Sequence, residues 1–92
     1  MSHDNTYIRR IVVRVLGKLG GKKAISALIK ATSDKDFWIR FHAIESIGQL
    51  GNLETIDLLE KLKENDTAQE GNHTISDIAA KAIENIKAIY RK

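Results

Sequence analysis

The sequence predicts an all-α fold, a short α-solenoid of about two and a half helical hairpins, with five helices in one domain over residues 1–92. Three observations carry this expectation. Proline is absent, so nothing breaks a long helical pattern from within. The six glycines gather at Gly17, Gly20 and Gly21 and again at Gly48 and Gly51, with Gly71 alone. Sliding the chain by 31 residues sets Ile8-Arg9 on Ile39-Arg40, Gly17 on Gly48, Leu19-Gly20 on Leu50-Gly51, Ile25 on Ile56 and Leu28 on Leu59. A fixed period of this size marks stacked supersecondary units.

The elements follow in order. A first helix near 5–19 carries Ile8, Ile11, Val12, Val13, Val15, Leu16 and Leu19, more apolar positions than one neighbour can cover. A second near 22–32 completes repeat 1, about 5–32. Repeat 2, about 36–64, begins after Asp34 and Asp36, both candidate N-caps whose carboxylates can accept from free backbone donors and oppose the helix dipole. Its first helix, near 36–49, has Ile39, Ala43, Ile47 and Leu50 at helical spacing, widened by Ile44 and Ser46. Its second, near 53–64, has Leu53, Ile56, Leu59 and Leu62. Each glycine is expected to close a helical pattern, where a left-handed residue costs least. Stretching the spacing to 36 sets Ile75 on Ile39, Ala79 on Ala43, Ile83 on Ile47 and Ile86 on Leu50. A closing helix over 74–90 therefore follows a polar loop, 65–73.

The stretch Asp34-Lys35-Asp36-Phe37-Trp38-Ile39-Arg40, continuing through Ala43, Gly48 and Gly51, is similar to the short HEAT-like repeat of phycobilin lyase subunits. The resemblance covers residues 5–64 well and 74–90 in part. It implies that Asp34, Asp36, Arg9 and Arg40 form a structural ladder tying neighbouring repeats. Ser76 stands where the next Arg would be, so the ladder should stop before the last helix. It also implies that variable positions of the first helices line a concave groove. These are Tyr7, Arg10, Ile11, Arg14 and Lys18, then Trp38, Phe41, His42, Glu45 and Gln49, then Thr74, Asp77, Ile78, Lys81 and Asn85. From these, Tyr7, Arg10, Arg14, Trp38, Phe41, His42 and Glu45 are the candidate partner-binding residues. Aromatic anchors beside Arg are the usual composition of binding hot spots. Phe37 is expected to pack on the polar loop or on residues 1–6, and Trp38 and Phe41 to stand free for binding.

Composition narrows the function classes. The formal charge of +3 hides an uneven layout: residues 1–31 hold seven Lys or Arg against Asp4 alone, whereas residues 32–66 hold four basic and eight acidic side chains. With no Cys there can be no disulfide, thiol nucleophile or Cys-based metal site. No apolar run approaches a membrane span, and residues 1–10 lack the apolar stretch of a signal peptide, so a cytoplasmic protein is expected. His42 and Glu45, three apart on one helix, fall short of a metal site. The adjacent His-Glu motifs of the related deoxyhypusine hydroxylases are absent. Ser26, Ser33, Ser46, His3 and His73 compose no nucleophile-base set, and Gly17, Gly20 and Gly21 follow a helix with no phosphate-loop Lys.

The reading that results is a non-catalytic protein-protein interaction scaffold, not an enzyme, with no cofactor and another protein as partner. Self-association through the apolar first helix, or docking there to a larger protein, is also expected. The alternative is an accessory subunit or chaperone of a bilin lyase-like enzyme. A nucleic-acid-binding module using the basic N-terminal repeat ranks last, because Glu45 and the acidic middle interrupt a continuous phosphate track.

Overall fold

The computed structural model describes residues 5–91. Five α-helices account for most of the chain: α1 (Thr6–Leu19), α2 (Lys22–Ala31), α3 (Phe37–Leu50), α4 (Ile56–Asn65) and α5 (Ile75–Tyr90). A 3₁₀ turn, Leu53–Thr55, leads into α4, so the second helix of repeat 2 starts three residues later than its apolar pattern suggests. The polar loop is not structureless. It contains a two-stranded antiparallel hairpin, β1 (Gln69–Glu70) and β2 (His73–Thr74), turned by Gly71 at φ +58°.

The helices that open each unit, α1, α3 and α5, lie side by side, with α3 in the centre. Helix α2 packs against α1 and α3, and α4 packs against α5. One core runs through them, built from Val13, Leu28, Ile39, Ala43, Ile44, Ile47, Leu59, Ile75, Ala79, Ile83 and Ile86. Because α3 has a helix on either flank, it buries residues on most of its circumference and shows no single apolar stripe. The terminal helices need bury only one side each.

The helix starts use the side chains that physics favours. Asn5 accepts from Ile8 N at 3.2 Å, Asp36 from Ile39 N at 2.9 Å and Thr74 from Asp77 N at 2.9 Å. Asp34 serves the loop instead, accepting from Asp36 N at 2.9 Å.

The two glycine clusters divide into different roles, which corrects the expectation that each glycine ends a helix. Gly20 and Gly51 are the C-caps of α1 and α3, with φ of 70° and 72°. Gly17 and Gly48 lie inside those helices. A Cβ on Gly48 would meet Ala82 Cα at 2.7 Å, and one on Gly17 would meet Ser46 Cβ at 2.6 Å. These are the points where α1 crosses α3 and α3 crosses α5. The missing side chain lets the backbones approach.

Candidate functional site

The three aromatics that open α3 occupy one patch. Phe37 is buried, and Trp38 and Phe41 are half-buried and packed against the core. The rings touch mutually: Phe37 and Trp38 edge-on at 4.9 Å, Trp38 and Phe41 edge-on at 5.3 Å, and Phe37 stacked with Phe41 at 5.9 Å. The hairpin supplies the lid. His73 meets Trp38 at 5.3 Å and Phe41 at 5.4 Å, both edge-on. His42 completes the group, 6.0 Å from Trp38 and 5.5 Å from Phe41, and its Nδ1 lies 3.2 Å from Glu45 Oε1.

This placement corrects the expectation that Trp38 and Phe41 stand free. They anchor the hairpin to α3, because a two-residue strand pair cannot hold itself in water and needs an apolar surface to lie on. Their outer edges remain accessible. The signal in the sequence was His73, an aromatic-capable ring in an otherwise polar loop, which spacing alone could not bring to Trp38. Phe37, by contrast, is held within the ring cluster and the core.

Beside Trp38 the hairpin and the α3 N-terminus bound a shallow cleft lined by Arg10, Lys35, Asp36, Trp38, Gln69 and Glu70. Arg10 is not free in this cleft. Its guanidinium donates to both Asp36 oxygens at 3.3 Å. Burial on its own would raise the Asp36 carboxyl, but the Arg10 hydrogen bonds and charge, with the Ile39 and Trp38 backbone N–H groups, bring it below its ordinary value. Tyr7 and Arg14 are exposed on the same side of α1.

Ion pairs run between units along one edge of the array. Arg9 Nε lies 3.3 Å from Asp34 Oδ2, and Arg40 donates to Asp66 through Nε at 2.8 Å and Nη2 at 3.3 Å. Each Arg reaches forward to the aspartate that precedes the next unit's first helix. Arg40 also donates to the carbonyls of Asp34 and Lys35, at 3.0 and 3.2 Å, and so ties its own loop to the next. Sequence reasoning missed Asp66. It is the counterpart of Asp34, accepting from Ala68 N as Asp34 accepts from Asp36 N. The equivalence was hidden because the hairpin insertion shifts the register behind it.

No group of three or more His, Asp or Glu among the described residues is placed to hold a metal. No helix among them is long and apolar enough to cross a membrane. His3 lies outside the described residues.

The chain matches the family model described as HEAT repeats over residues 1–76. It is 36% identical over 62 residues to a phycocyanobilin lyase subunit alpha from Picosynechococcus sp., a match covering 66% of this chain and 23% of that protein. It is 37% identical over 62 residues to the phycocyanobilin lyase subunit alpha of a Nostoc species, covering 67% and 22%. The chain thus spans under a quarter of the length of these relatives. Paired helices stacked about a central α3, an Arg-to-Asp step between units, and the family match over most of the sequence agree: the chain belongs to the HEAT repeat family.

Proposed function

We propose that the chain is a non-catalytic scaffold that receives a partner protein on the face formed by the first helices of its repeats, centred on Trp38. The observation that supports this most is the patch itself. Trp38, Phe41, His42 and His73 present ring edges at the middle of the α1, α3 and α5 layer, with Tyr7 and Arg14 beside them and Glu45 below. The inner faces of Trp38 and Phe41 are already packed against the core, so a partner would lose little side-chain entropy in engaging them. A centre of fixed aromatics within a polar rim is the anatomy of a recognition surface.

Site-directed photo-crosslinking tests the placement. A photoreactive phenylalanine at Tyr7 or His42 should trap the partner, and one at Lys61 on α4 should not. Adducts from position 61 alone would defeat the proposal.

A second reading, an accessory subunit of a bilin lyase-type enzyme, is favoured by the two lyase subunits that the chain resembles. Trp38 is the sole tryptophan and is its own reporter. Titration with phycocyanobilin should quench its emission and shift the pigment's absorbance if this reading holds, and should leave both unchanged if it does not.

A further inference from the structure

The outer face of α1 repeats, residue for residue, a face that the rest of the array buries. In α3 the positions Ile39, Ala43, Ser46 and Leu50 turn toward the preceding unit. Ile39, Ala43 and Ser46 are at most 5% exposed, and Leu50 packs against the core. Their counterparts in α5, Ile75, Ala79, Ala82 and Ile86, are at most 2% exposed. The same positions in α1 are Ile8, Val12, Val15 and Leu19, exposed by 54, 48, 47 and 73%. With Ile11 they make a stripe about 100° wide, the width of a core-facing helix surface.

The rim of this stripe is predominantly basic, and Asp34, which also lines it, is paired with Arg9. Residues 5–32 contain no Asp or Glu, whereas Arg14, Lys18, Lys22, Lys23 and Lys30 surround the α1–α2 surface. We infer that the open face of α1 docks an amphipathic helix, supplied from outside residues 5–91, whose apolar stripe is flanked by carboxylates. It takes the place that a preceding repeat helix would fill.

A second copy fits this face poorly, for two reasons. Back-to-back pairing of α1 on α1 is isologous and brings two basic rims, with Arg14 and Lys18 in each, into one interface. Head-to-tail stacking would bring α5 against α1. There Glu84 occupies the position where Gly17 and Gly48 let neighbouring helices approach, and α5 turns Asp77, Lys81, Glu84 and Lys87 outward. A polar outer face of this kind disfavours stacking.

The test uses two designed helical peptides with one leucine-and-alanine stripe, flanked by glutamates in one and by lysines in the other. The glutamate peptide should bind the full chain at least tenfold more tightly in 50 mM salt, and the difference should shrink in 500 mM salt. Val12→Glu and Val15→Asp, at exposed positions, should each weaken that binding at least tenfold while the circular dichroism spectrum and melting temperature stay near those of the parent. Equal binding of the two peptides, or binding of neither, overturns the inference. Sedimentation showing a dimer that Val12→Glu dissolves, with no peptide bound, would assign the face to a second copy. Co-sedimentation with anionic vesicles, with no peptide bound, would assign it to a lipid surface.

Discussion

The crossing of α1 and α3 can be tested by trading a side chain across it. Gly17→Ala adds a methyl where Ser46 Cβ would stand at 2.6 Å, well inside contact distance. Removing the serine side chain leaves Ser46 Cα as the nearest remaining atom, at 3.5 Å, an ordinary van der Waals distance. Overpacking of this kind costs about 1–3 kcal/mol, and Gly→Ala in a helix interior returns about 1 kcal/mol through propensity. The single variant therefore mixes two opposing effects, but a double-mutant cycle does not. Propensity enters Gly17→Ala equally with and without Ser46→Gly, so it cancels, and the coupling energy isolates the clash. The expected coupling is about 1–3 kcal/mol in favour of the pair, read from urea unfolding of the parent, the two single variants and the double variant. In a chain of this size it should appear as a melting temperature of the double variant about 4–24 °C above the value that adding the single effects gives. A coupling near zero would mean that the helices do not meet at these residues.

Three further outcomes follow from the geometry. Asp36→Ala removes the α3 cap and the partner of Arg10, and should cost about 1–2 kcal/mol by thermal melting. Since the folded carboxyl lies below its ordinary value of 3.8, its contribution is fully present above about pH 5 and is lost as pH falls through 3.8 and below. Asp36→Asn should flatten that part of the acid limb. Asp66→Ala leaves Arg40, partly buried, without its carboxylate and frees Ala68 N, so urea unfolding should show a loss of about 1–3 kcal/mol. His73→Ala uncovers Trp38 without touching the helices, so tryptophan emission should move to longer wavelength while helical circular dichroism is retained; unchanged emission would show that the hairpin does not cover the ring.

The fold was legible because its signals are local. Apolar residues at helical spacing, a 31-residue period and caps such as Asn5, Asp36 and Thr74 each act within one helix or one turn, so a linear reading captures them. The glycines show the limit of that reading. Gly20 and Gly51 cap helices through backbone conformation, which is local, but Gly17 and Gly48 are glycines because Ser46 and Ala82 stand opposite. That reason lies 29 and 34 residues away. The candidate site was half legible on the same grounds. The crowding of Phe37, Trp38 and Phe41 is visible in one helix turn, and so is the exposed excess of apolar residues on α1. What covers the aromatics is not visible, because His73 reaches them only after a hairpin insertion folds back. The pairing of Arg10 was hidden for a related cause: Asp36, which holds its guanidinium, lies 26 residues on.

The hairpin also separates length from shape in this chain. Asp66 fixes the turn before it, and Ile75 N donates to Ala68 O at 3.1 Å, so the entry and exit of the excursion are bonded at its base. The helical path passes from Ala68 to Ile75 as though the residues between were absent. Gly71, at the tip, has open space where a side chain would be. A foreign loop grafted between Gly71 and Asn72 would therefore ride on the array without entering it, displayed next to the aromatic patch by a scaffold whose helices need not adjust.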